Sequence, residues 1–124
     1  MKLVRIVDSI TELNTLDAGC IAVSGSHGGL SSAGYALAAK PLLSVFNDAG
    51  GGLGNAGLAA LDFLQANGLA ACTVAHHSAR IGEAQSTLAS GVVSDANALA
   101  EALGVQAGWT CRQAIDFILN SRES

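Results

Sequence analysis

The stretch Cys20-Ile21-Ala22-Val23-Ser24-Gly25-Ser26-His27-Gly28-Gly29 decides the fold. A short apolar run passes straight into a polar, glycine-rich cluster. Continuous runs of this kind suit strands buried on both faces, as in parallel sheets covered by helices. The arrangement recurs twice. Leu42 to Phe46 leads into Asn47-Asp48-Ala49-Gly50-Gly51-Gly52, and Leu69 to Ala75 leads into His76-His77-Ser78-Ala79-Arg80-Ile81-Gly82. If the three runs are parallel strands, the clusters meet at one edge of one sheet. That edge is where open α/β sheets bind ligands.

Working outward, Lys2 to Val7 reads as a first strand. Ser9-Ile10-Thr11-Glu12 fits a capping box, with serine at the cap and glutamate three residues on, opening a short helix to about Leu16. Ser31 or Ser32 is placed to cap a helix reaching about Lys40, where Pro41 stops it. Asn55 to Asn67 carries Leu58, Leu61 and Leu64 on one helical face and closes at Asn67-Gly68. Gly82 to Ser90 is ambiguous between loop and loose helix, and Gly91-Val92-Val93 between a short strand and a turn. Ser94 or Asp95 is placed to cap a helix ending at Leu103-Gly104. Thr110-Cys111-Arg112-Gln113 is a second capping box, followed by the apolar stripe Cys111, Ala114, Ile115, Ile118 and Leu119. Strands alternating with helices predict one α/β domain over 1–124: three layers, with a mainly parallel sheet of four or five strands and helices on both faces, Rossmann-like or flavodoxin-like. Right-handed crossovers predict that successive strands lie side by side. The full strand order does not follow from the sequence.

The 124 residues suit a single core. Half are hydrophobic and only 13% are charged, against about 25% in an average domain. So few charges cannot coat every outward surface, which predicts a homo-oligomer. The net charge of −4, the absence of a basic stripe and an aromatic content of 4% argue against nucleic-acid binding. No apolar stretch is long enough to span a bilayer without Gly, Ser or a charge, so no membrane partner is expected. The first eight residues lack the apolar core of a signal peptide, so a cytoplasmic location is expected. Cys20, Cys72 and Cys111 are odd in number and widely spaced. Cys20 and Cys72 open apolar runs and read as buried thiols, and Cys111, at a helix start where the dipole lowers a thiol pKa, reads as a packing residue first.

The clusters hold all three histidines, and Arg80 is the only basic residue between Lys40 and Arg112. A guanidinium fork suits a carboxylate or phosphate. An ion pair with Asp48, Glu83 or Asp95 is its structural alternative. The backbone of Gly28 and Gly29, at a strand-to-helix turn, suits close approach to an anion, with Ser26 adding a hydroxyl. His27 is expected as general acid or base, with Asp48 orienting it or acting as a base itself. Asn47, Ser78 and one of His76 and His77 complete the expected ligand set. Adjacent residues of an extended chain face opposite ways, so only one of the two histidines is expected to line the site. Histidine and carboxylate suit zinc, but their spacing is no recognised ligand pattern, and no metal or cofactor is assigned.

The set GSHGG, FNDAG and HHSARIG, with the later GVVSDANALAEALGVQAG, resembles a family of short bacterial α/β proteins over about residues 8 to 118. The resemblance implies one domain with a shared site but no particular reaction. Other patterns fail at named residues. The GSHG of a universal stress protein is followed nine residues on by a second Gly-Ser, where Ala38-Ala39 stands here. Mannose-type phosphohistidine carriers place their histidine after the first strand, whereas His27 follows the second, and Asp48 comes too soon for their acidic partner. In swivelling phosphohistidine domains a histidine occupies the position of Ala33. The function expected is binding of a small anionic metabolite, with cofactor-free lyase, isomerase or hydrolase chemistry through His27. The alternative is a non-catalytic binding or regulatory oligomer, and a weaker one a phosphohistidine carrier.

Overall fold

A computed structural model describes residues 3–51 and 58–123. Lys2 of the expected first strand, Gly52, and residues 55–57 of the expected second helix lie outside the described residues. Five strands form one sheet in the order β1-β2-β3-β4-β5. They are β1 (Val4–Val7), β2 (Ile21–His27), β3 (Leu43–Asn47), β4 (Ala70–Val74) and β5 (Val93–Ala96). The first four are parallel and β5 is antiparallel to β4. The sheet is therefore mainly parallel, and successive strands are neighbours.

Strand alternation sorts side chains into two cores. Ile21, Val23, Leu43, Val45, Cys72 and Val74 face one way and pack against Cys111, Ala114, Ile115 and Ile118 of α5 (Cys111–Glu123). The capping box at Thr110 opens this helix: Thr110 N–H donates to Gln113 Oε1 at 2.8 Å, and Gln113 N–H to Thr110 Oγ1 at 3.1 Å. Ala22, Phe46 and Ala71 face the other way. They pack against Ala33, Ala36 and Ala39 of α1 (Leu30–Ala39) and Ala60, Leu61 and Leu64 of α2 (Ala59–Ala66). Helices thus cover both faces, which completes the three-layer α/β class.

Several local expectations change under tertiary demands. The box at Ser9 forms, but it starts a single 3₁₀ turn, Ile10–Glu12, followed by another at Thr15–Asp17. Gly29, not Ser31 or Ser32, caps α1, and Ser32 is buried within the helix. Ser94 and Asp95 belong to β5, and Asn97 caps α4 (Ala98–Ala102). Asn97 also accepts from Ala71 N–H at 3.1 Å and donates to the carbonyls of Leu61 and Leu69.

The ambiguous segment is α3 (Ala84–Ser90), and it explains why β5 reverses. α3 begins with Ala84 N–H on Asp8 Oδ1 at 2.9 Å, beyond the end of β1. It ends with Ser90 Oγ donating to Ser78 O at 2.6 Å, just past β4. Both contacts lie at the carboxyl edge of the sheet. The chain re-enters the sheet from that edge, so β5 runs down beside β4.

Candidate functional site

Residues 75–83 form a strap across the carboxyl edge. Asn47 Nδ2 donates to Ala79 O at 3.0 Å over the end of β3. Gly82 N–H donates to Gly25 O at 2.7 Å over β2, and Asp8 then receives Ala84 beyond β1. Gly25 is required for this crossing. A Cβ there would stand 2.5 Å from the Gly82 carbonyl carbon, and nearer still to the Glu83 nitrogen.

The strap also separates two loops. The connection after β3 leads to α2 on one face of the sheet, whereas the strap leads to α3 on the other. Divergent loops at neighbouring strand ends leave a crevice, the geometry by which open α/β sheets make ligand sites. A cleft of about 540 Å³ lies there, within the size range of small-molecule pockets. Asn47 and Ala49 line it from β3, His76 to Ile81 from the strap, and Ser86 and Ser90 from α3.

Asp48 and His76 meet because β3 and β4 are in register. Asn47 pairs with Val74, and Asp48 N–H donates to Val74 O. Asp48 Oδ1 accepts from Gly50 N–H at 2.8 Å and from His76 N–H at 3.0 Å. His76 Nδ1 lies 3.4 Å from the same oxygen. Burial pushes the Asp48 carboxyl up, but the Gly50 amide, the Ser94 hydroxyl, the His76 amide and the His76 ring outweigh it and hold its pKa below the ordinary carboxylate value. The turn carrying this carboxylate is strained: Ala49 has φ +51°, unusual for a residue with a side chain, and Gly50 has φ +73° against the His76 ring.

The other expected site residues divide clearly. Ser78, Arg80, Asn47 and both His76 and His77 line the cleft. The two histidines sit in a turn rather than extended backbone, with rings edge to face at 5.4 Å, so both reach it. The Arg80 side chain is 82% exposed, 3.9 Å from Glu83. An exposed pair at that distance holds it only weakly. Asn47 holds the protein at both ends of its amide: its Oδ1 accepts from Ala49 N–H while Nδ2 holds the strap. Ser78 Oγ donates to Ala75 O and accepts from Val92 N–H.

The first cluster does not join the cleft. Ser26 Oγ accepts from Ile10 N–H at 3.0 Å and so holds the first 3₁₀ turn. Gly28 N–H donates to Asn47 O and Gly29 N–H to His27 O, so neither amide is available to an anion. His27 is exposed at the end of β2, and Asp48 engages His76 instead of it. The reason is the strap, which rests on Gly25 and takes up the space above β2. The sequence reading missed Ser86 and Ser90, four apart on one face of α3, and the anchors Asp8 and Gly25. The i, i+4 serine spacing was the only signal for the first pair, and nothing local marks the anchors.

Among the described residues, no group of three or more His, Cys, Asp or Glu side chains is placed to hold a metal ion, and no helix is long and apolar enough to cross a membrane. Compared with protein-family models, curated proteins and solved structures, the chain gives no match.

Proposed function

We propose that the cleft between the β3 and β4 loops binds a small anionic metabolite and performs cofactor-free acid–base chemistry on it. The observation that carries this reading is that His76, held by Asp48, and Arg80 line one cleft. Asp48 orients the imidazole through Nδ1 and leaves Nε2 to give or take a proton, the usual division between a carboxylate and a catalytic histidine. Arg80 anchors the anion, and Ala79 and Ile81 offer the carbon skeleton an apolar wall. His76 replaces His27 as acid–base residue, and the reaction classes compatible with it are isomerisation, elimination and hydrolysis.

The openness of the cleft favours a second reading, binding without turnover. The His76 side chain is 58% exposed, so nothing among the described residues shuts water out. Product formation separates the two. A panel of phosphates and small carboxylates is screened by thermal unfolding, and hits are followed for product by NMR. A ligand at a hundred times its dissociation constant adds about 2.7 kcal/mol, several degrees in a chain this size. Arg80→Ala should weaken the bound anion by about 1.5–3 kcal/mol with the fold retained. His76→Gln should abolish turnover while binding survives. If Arg80→Ala binds every hit as tightly as the wild type, the site lies elsewhere.

Self-association belongs to the same proposal. Leu16, 91% exposed, lies on the turn that packs against α1, whose Leu30 and Tyr35 are also exposed. Sedimentation is expected to give an oligomer, and a monomer at all concentrations would remove that part.

A further inference from the structure

We infer that the cleft takes a doubly charged oxyanion and that the adjacent imidazoles of His76 and His77 gain a proton as it binds. This rests on the anion-site reading above and adds the ligand class and its coupling to pH.

The polar groups lining the cleft are of two kinds. Asn47, Ser78 and Ser90 are committed to the protein: Ser90 Oγ donates to Ser78 O and Ser86 O, as Asn47 and Ser78 do elsewhere. The groups left over are donors, or become so at both ring nitrogens once an imidazole is protonated. They are the Arg80 guanidinium, the two imidazoles, and the Ser86 hydroxyl, whose oxygen accepts from Arg80 N–H and whose hydrogen is free. His77 makes no hydrogen bond with the described residues. Donors approaching from the strap and from α3 match the several oxygens of a tetrahedral oxyanion better than the two coplanar oxygens of a carboxylate.

Charge then requires protons. Arg80 is the one fixed cation of the lining; Glu83 lies beside it, and Asp48 lies beside His76. β5 adds only Asp95, exposed and opposite Thr73. His27, beyond β2, lies outside the cleft lining. With both imidazoles neutral, the one cation of the lining is offset by Glu83 beside it and by Asp48 beneath His76, so a dianion finds little net attraction. Protons on the rings supply it. A dianion beside the two adjacent rings favours their charged form, so protonation and binding favour each other.

The probe is sulfate, which stays a dianion throughout. Its affinity is measured by calorimetry between about pH 5.5 and 8.5, across the imidazole range, in buffers of different ionisation enthalpy. An opposite charge at about 4–6 Å makes a protonated ring at least about tenfold more favourable. The wild type should therefore bind sulfate about tenfold tighter at the acid end and take up protons. His77→Gln should lose most of the rise, whereas His27→Gln should leave the rise intact. A flat profile with Arg80-dependent binding overturns the proton coupling and leaves the anion site standing. A rise that persists in His77→Gln but vanishes in His27→Gln also overturns it. No sulfate binding at any pH removes the inference and the anion site together.

Discussion

Ser44 shows how a single atom can be misfitted in a well-packed sheet. It is 1% exposed in β3, paired with Ala22 and Ala71 of the neighbouring strands, and its hydroxyl has no hydrogen-bond partner among the described residues. An unsatisfied buried hydroxyl costs more than an alanine there. Ser44→Ala should therefore raise stability by up to about 1 kcal/mol, read as a higher urea midpoint with unchanged slope. A loss of stability would mean the hydroxyl has a partner. Asp48 gives a second prediction at this scale. Its folded pKa is depressed, so its contribution is full above the unfolded value of about 4 and is lost as pH falls through the folded value. Asp48→Asn keeps an acceptor for Gly50 and His76 but carries no charge. The variant should flatten the acid limb of the urea midpoint plotted against pH, and an unchanged limb would assign acid unfolding to other groups.

At the scale of elements, the strap and α3 depend on close backbone contact more than on side-chain packing. Gly25 lets the strap touch β2, and backbone atoms of Gly82 and Glu83 have nothing flexible to yield to a methyl group. Gly25→Ala should cost about 1–3 kcal/mol, as overpacking does. It should also speed hydrogen exchange of strap amides more than those of α5. Equal effects on both would mean that Gly25 acts through the whole sheet. The elements themselves were largely readable. Both capping boxes form, because serine or threonine with glutamate or glutamine three residues later is a purely local solution to unpaired amides. The α4 cap was not readable. Asn97 was chosen over Ser94 and Asp95 because it also satisfies Leu61, Leu69 and Ala71, which are 26 to 36 residues away in the chain.

At the scale of the whole molecule, one sheet is shared by two cores. Cys20 lies in the α1/α2 layer, and Cys72 and Cys111 lie in the α5 layer. Burial pushes all three thiols up, Cys111 to about 12 and Cys72 well above the ordinary thiol range. Neither layer can open without exposing the sheet, so unfolding should be two-state. A thiol reagent at about pH 8 should label all three cysteines at one urea midpoint, and earlier labelling of Cys20 would show that its layer opens alone. The raised thiol values also set the alkaline limit. Unfolded thiols ionise near about pH 8.5, so stability is full below that and declines as pH rises beyond it.

The sequence by itself determined the first four strands, that they are covered on both faces, and that the three polar clusters share one edge if those strands run parallel; the fifth strand stayed open between strand and turn. These are properties of short windows: apolar runs, capping pairs and glycine after a strand end. Only the tertiary structure decided which clusters line the cleft. Asp48 reaches His76 through strand register, His27 is set aside because the strap rests on Gly25, and Arg80 reaches the cleft because Asp8 anchors the start of α3. Each of these contacts joins residues 28 to 76 positions apart, and such pairings are set by how the whole sheet closes, which no local pattern encodes.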